Sequence, residues 1–197
     1  MTFVAFLGCD GSGKSAVLDQ VAERMRVNGV EVSRGHWCPQ AIGASDTKHA
    51  QNTADDPHGK APRGWVSSVL KLGWLGLNWW LGIWKLLGGQ RKRGLVLFDR
   101  YHADLLVDPR RYRYGGPMIL AEIASRLMPQ PDRVFFLDAE PDVLLSRKQE
   151  VSKAALEHSR TSYLNLAGSH PRFRIIDASR ALDQVVDEVY EEIRKML

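Results

Sequence analysis

The 197 residues suit a single domain, and with 44% apolar and 25% charged side chains they exclude a disordered or low-complexity chain. Lysine and arginine number 27 against 23 acidic residues, a net charge of +4, yet no basic stripe with interleaved aromatics marks a nucleic-acid interface. Two cysteines, Cys9 and Cys38, are too few for a disulfide scaffold, and Met1-Thr2-Phe3 leads directly into an apolar strand with no secretion signal, so a reducing, cytoplasmic setting is expected.

Thr2 to Leu7 reads as a short apolar strand, and Ala16 to Val27 carries apolar residues at helical spacing. Between them Gly8-Cys9-Asp10-Gly11-Ser12-Gly13-Lys14-Ser15 satisfies every fixed position of G-x-x-x-x-G-K-[ST], the P-loop pattern. Its glycines let backbone N–H groups turn toward an anion at the positive end of a helix, and Lys14 supplies a point charge for the outer phosphates. The expected nucleotide contacts are Gly8, Asp10, Gly11, Ser12, Gly13, Lys14, Ser15 and Ala16, with Ser15 as a Mg²⁺ ligand. Asn28-Gly29 ends the helix, Val30 to Ser33 alternates as a second strand, and Arg34 to Pro39 follows as a loop. At the carboxyl edge of an α/β sheet that loop can bring Arg34 and Trp37 to an acceptor, whereas His36 and Cys38 fall short of a zinc site.

Residues 40 to 63 are polar and irregular, a long loop. Trp65 to Leu87 is Trp- and Leu-rich and helical in pattern, with Leu70, Trp74, Leu77, Leu81 and Trp84 on one face and Leu75, Trp79 and Ile83 on others. That all-round apolarity predicts burial as a core helix or a subunit interface, which would admit a homodimer. The run between Lys71 and Lys85 is too short to span a membrane, and interfacial membrane contact is the lesser alternative.

Leu95 to Phe98 is a continuous apolar strand that delivers Asp99, and Val134 to Leu137 is another that delivers Asp138. A P-loop enzyme needs one such carboxylate for Mg²⁺ and its waters, and position alone does not choose. Asp99 is preferred because Arg100-Tyr101 follows it, setting a guanidinium fork where a second phosphate would lie. Arg110 to Pro117 is basic and aromatic and could clamp a phosphate through Arg113, or be a solvated surface loop. Met118 to Met128 is a helix, Asp142 to Lys148 begins another, and Arg147, Lys148, Lys153 and Arg160 lie in a polar stretch suited to closing over a nucleotide. Arg172 to Ile176 is a last strand, and Ala181 to Leu197 a last helix with Leu182, Val185, Val186, Val189, Ile193 and Leu197 inward.

Gly8-x-Asp10-Gly11-x-Gly13-Lys14-Ser15 with Asp99-Arg100-Tyr101 resembles the thymidylate kinase family of P-loop nucleoside monophosphate kinases. Leu137-Asp138, Pro141-Asp142 and Arg147, then Tyr163 to Ala167 and Ile175 to Ala178, extend the likeness over most of the chain except residues 40 to 90. The resemblance implies an α/β P-loop NTPase sandwich over residues 1–197, a five-stranded parallel sheet in order 2-3-1-4-5 with helices on both faces and a lid at 147–160. It implies ATP as donor, Mg²⁺ as cofactor, and a small-molecule phosphate acceptor, with Lys14, Asp99, Arg100 and Arg147 carrying the transfer. Asp10, Arg100 and Tyr101 would face the acceptor, Ala178 and Arg180 would border the adenine, and glycine at position 11 leaves the lid to provide an arginine. The sequence departs from the family after Tyr101: His102 to Pro109 lacks the serines and the Ala-Tyr-Gln stretch that read thymine. A divergent branch is therefore expected, acting on a nucleoside monophosphate, dTMP-like, or a related phosphorylated acceptor. The alternatives are a sugar or other metabolite of surface-polysaccharide pathways, or a nucleotide-binding regulator at a membrane surface.

Overall fold

A computed structural model describes residues 1–36, 64–88, 94–149 and 151–197, with backbone only at 83–88. The expected loop at 40–63, Trp37 and Cys38 lie outside the described residues. In chain order the elements are β1 (Thr2–Leu7), α1 (Lys14–Val27), β2 (Val32–His36), α2 (Trp65–Gly88), β3 (Leu95–Asp99), α3 (Asp104–Val107), α4 (Met118–Leu127), β4 (Arg133–Asp138), α5 (Pro141–Arg147), α6 (Lys153–Ser169), β5 (Phe173–Asp177) and α7 (Leu182–Arg194). They fall into two compact units, one holding the sheet with α1, α5, α6 and α7, the other holding α2, α3 and α4.

In the first unit five strands pair in parallel in the order β2-β3-β1-β4-β5, the order expected. β1 is buried at all six positions, which is why Thr2 to Leu7 reads as an unbroken apolar run rather than an alternation. Its register places Phe6 opposite Asp99 on one side and opposite Phe135 on the other. His36 pairs with Asp99, and Asp138 with Asp177, so the chemistry-bearing residues share one carboxyl edge with the loop that follows β1. α1 buries Val17, Leu18, Val21, Ala22 and Met25 and packs on α7, which buries Val185, Val186, Val189 and Ile193. Leu182 and Leu197, expected inward, are exposed: Leu182 is the first residue of α7, and Leu197 lies beyond its end at Arg194.

β2 runs later than its apolar pattern indicated, over Val32–His36 instead of 30 to 33. As an edge strand it needs only its ladder to β3, and the polar Arg34 and His36 are tolerated there. Gly35 is required in that ladder, since a Cβ would lie 2.4 Å from the ring of Phe98.

In the second unit α2 packs on α4, and Leu105, Tyr114 and Ala121 form a small core. The side of α2 turned to α4 carries Leu72, Leu75, Gly76 and Trp79, against Ala121, Ala124, Ser125 and Met128. Leu70, Trp74, Leu77 and Leu81, which share a face as expected, are the exposed face of α2 and not a buried one. Polar groups on the inner side are satisfied: Ser68 Oγ accepts from the Gly115 N–H at 3.0 Å, and Asn78 donates to the Trp74 carbonyl at 2.9 Å. His102 sits at the same seam, its Nδ1 2.7 Å from Ser125 Oγ and its ring edge-on to Trp79. Among the described residues no helix is long and apolar enough to cross a membrane.

Candidate active site

The turn after β1 has the conformation that its glycines permit. Gly11 and Gly13 are left-handed at φ 84° and 80°, and a Cβ at Gly11 would stand 2.7 Å from the Leu144 carbonyl oxygen. Gly8 is equally confined, since a Cβ there would meet the Leu137 carbonyl at 2.7 Å and Ser12 Oγ at 2.8 Å. α1 begins at Lys14 with neither a side-chain cap nor an acidic residue in its first turn, so the helix itself brings no carboxylate to its positive end. The Lys14 ammonium is buried and donates to the carbonyls of Gly8 and Cys9, both at 2.8 Å, and to Ser12 Oγ at 3.3 Å. A strand, a glycine turn, a buried cation and a helix N-terminus thus converge on a small volume suited to an anion.

Two aspartates end the strands flanking β1, and their surroundings differ. Ser15 Oγ donates to Asp99 Oδ2 at 3.1 Å, while Asp99 Oδ1 is buried with no hydrogen-bond partner. A hydroxyl and a buried, under-satisfied carboxylate oxygen beside an anion cradle suit a Mg²⁺ that takes its remaining ligands from phosphate and water. Asp138 is already occupied: Arg160 donates through Nε to Oδ1 at 2.8 Å and through Nη2 to Oδ2 at 2.9 Å, and through Nη1 to Glu140 at 2.6 Å. Hydrogen bonding to Asp138, seconded by Glu140, pushes the Arg160 guanidinium above its ordinary pKa. The structure therefore separates two carboxylates that position in the sequence left equivalent.

On the other side of the loop Arg100 Nη2 donates to Asp10 Oδ1 at 2.6 Å in a largely buried ion pair. Arg100 is left-handed at φ 65°, and its N–H is held by the Phe6 carbonyl at 2.9 Å. A non-glycine residue in that region is costly and clusters at ligand sites. Tyr101, expected at the acceptor, instead buries its ring edge-on against Phe3 and Phe98. Arg34 is also drawn elsewhere, to Asp19 of α1 at 2.5 Å. His36, two residues on and so on the same face of β2, is the residue at the edge, with Nδ1 3.9 Å from Asp99 Oδ2. Its position ending a strand was the available signal, hidden by the polar look of 34–36. Arg113 belongs to the second unit, in a turn where it is left-handed at φ 53°.

Arg147, at the end of α5, donates to the Ala178 carbonyl at 2.8 Å. Ala178 is buried, and its N–H donates to the Asp138 carbonyl at 2.7 Å. The turn is stiffened by Asp177, whose carboxylate accepts from the Ser179 hydroxyl and N–H; these bonds hold its pKa below the usual value. Arg180 pairs with Glu188 of α7 and donates to the Asp177 carbonyl at 3.2 Å. Lys153 pairs with Asp142 at 2.6 Å.

No family model matches the chain. Over 98% of its length it is 22% identical to a probable thymidylate kinase of Archaeoglobus fulgidus, covering 95% of that protein. It is 27% identical to the thymidylate kinase of Ligilactobacillus salivarius, over 94% of both chains. A 28% match to a probable thymidylate kinase of Sulfolobus acidocaldarius covers only 37% of this chain and 42% of that protein. The first two of these similarities are low but run along nearly the whole chain.

Proposed function

We infer, from a chain that is thymidylate kinase-like along most of its length, that it is a P-loop kinase moving the γ-phosphoryl group of ATP to a small phosphorylated acceptor. The observation that carries the reading is the double tie between the loop and the turn after β3: Ser15 on Asp99 and Asp10 on Arg100. A switch or motor needs the first of these, whereas the second places a guanidinium fork beside the loop where an acceptor phosphate would be held.

Transfer of this kind depends on positioning and on stabilising charge at the moving group. In this reading the loop amides and Lys14 hold the triphosphate, the fork of Arg100 orients the acceptor, and the 177–180 turn braced by Arg147 lies beside the base. Mg²⁺ held by Ser15 and Asp99 would neutralise phosphate charge there. Asp10 already spends one carboxylate oxygen on Arg100, which favours an acceptor phosphate, itself a nucleophile, over a hydroxyl that would need a base. The acceptor is a nucleoside monophosphate or a related phosphorylated metabolite. Thymine itself is the less favoured base, since His102 to Pro109 lacks the family's reading residues.

A panel of nucleoside monophosphates and sugar phosphates incubated with ATP, Mg²⁺ and purified protein tests the assignment by ADP release. Acceptor-dependent release should appear with at least one phosphorylated compound, and Arg100→Ala should raise that compound's KM more than the KM for ATP. Turnover with unphosphorylated sugars alone would replace this reading with that of a hydroxyl kinase.

A further inference from the structure

The two strand-end aspartates pose a physical problem that follows from the proposed function and rests on it. A triphosphate bound to the loop is a dense anion, and carboxylates at the carboxyl ends of both β3 and β4 lie close to it. Asp99 is useful as a carboxylate beside Ser15. Asp138 is not placed for that, yet the end of β4 abuts the loop, with the Leu137 carbonyl 2.7 Å from where a Cβ of Gly8 would stand. The Asp138 side chain is only 15% exposed, so solvent screens its charge weakly. Left alone its charge would repel the phosphates.

Arg160 of α6 meets that carboxylate with the planar fork that matches it, at 2.8 and 2.9 Å, and uses its third nitrogen on Glu140. Glu140 is largely exposed and its charge is screened by water, so the partner that matters is Asp138. The same aspartate accepts the Ala178 N–H through its backbone carbonyl, and Ala178 in turn accepts from Arg147, so the residue that the fork holds is also joined to the 177–180 turn. To reach a phosphate directly, Arg160 would have to surrender three charge-assisted hydrogen bonds.

We propose that Arg160 is a positioning residue for the P-loop anion site, masking Asp138 so that the triphosphate and its cation meet only Asp99. It acts through Asp138 and not by touching phosphate, which sets it apart from the role of lid cation that its place in the sequence suggests. The proposal makes a specific double-mutant prediction, because the harm from losing Arg160 comes from the aspartate left behind.

Calorimetric titration of the full chain with MgATP, and separately with tripolyphosphate, tests it. Arg160→Met should weaken both ligands by about tenfold, on the order of 1.4 kcal/mol. Arg160→Met combined with Asp138→Asn should return both affinities to within about threefold of the starting protein, and Asp138→Asn alone should change them no more than that. Arg160→Lys keeps the charge and should stay within the same range, so a folding defect in the methionine variant leaves the idea open to refutation. Equal weakening in Arg160→Met and in the double variant would mean that Arg160 contacts phosphate itself and would overturn the proposal. So would unchanged affinity in Arg160→Met, even with a lowered melting temperature. Tripolyphosphate binding without ATP binding would sink the ATP-kinase reading while leaving this test intact; binding of neither would overturn both.

Discussion

Lys14 braces its own loop with hydrogen bonds to Gly8, Cys9 and Ser12 while keeping its charge at the mouth of a helix N-terminus, a strut that the proposed function also makes a ligand for phosphate. Replacing it with alanine should lower turnover by about 100-fold or more, the scale seen when one preorganised electrostatic donor is removed, in a steady-state assay at saturating ATP. Gly11 supports a sharper expectation. Its φ of 84° and the Leu144 carbonyl 2.7 Å from a would-be Cβ leave no place for a side chain. Gly11→Arg should therefore cost about 1–3 kcal/mol in urea denaturation and not add a phosphate cation; an unchanged midpoint would contradict the geometry. The motif residues were legible from the sequence because each has a chemical reason to be at its spacing. Their mutual pairing was not, since Asp10 and Arg100 are ninety residues apart and only the β1–β3 register brings them together.

At the scale of elements, α2 shows where pattern reading stops. Periodicity identified the helix and grouped Leu70, Trp74, Leu77 and Leu81 correctly, but a helix that is apolar all round offers no polar face to say which side is out. The inner side is the one bearing Ser68 and Asn78, polar residues that find backbone partners. Trp79→Ala should cost about 3–5 kcal/mol and Trp74→Ala less than about 0.5 kcal/mol in chemical denaturation, an asymmetry that hydropathy does not foretell. Burial also lowers the pKa of His102 to about 3. The folded chain then keeps this imidazole neutral while the unfolded chain protonates it near 6.5, so stability falls as pH drops below that value, by about 1.4 kcal/mol per unit, until about 3. Unfolding free energies from urea titrations at pH 7 and pH 5 should differ by about 2 kcal/mol more in the parent than in His102→Gln, which cannot titrate. An identical pH dependence would mean that His102 is protonated when folded.

Across the whole molecule, the apolar runs, the P-loop and the motif after β3 were legible as strands sharing one edge of a parallel sheet, whereas their order was implied by the family resemblance. What the pattern missed lies at that sheet's margins. β2 is an edge strand whose polar residues look like a loop, and this hid His36 while promoting Arg34, which pairs with α1 instead. Arg160 looked like one more mobile cation until its two carboxylate partners were seen. At the carboxyl edge as a whole Asp99 keeps a buried oxygen with no hydrogen-bond partner, Asp138 is sealed by Arg160, and Arg100 pairs with Asp10 of the loop. The central claim, that this edge transfers phosphoryl groups between two bound phosphates, is tested most directly by following γ-labelled ATP across a panel of phosphorylated acceptors. The account predicts label in one acceptor as a new diphosphate, abolished by Lys14→Ala and shifted to higher acceptor concentration by Arg100→Ala. Label released only as inorganic phosphate, at a rate indifferent to every acceptor and to Arg100, would contradict it.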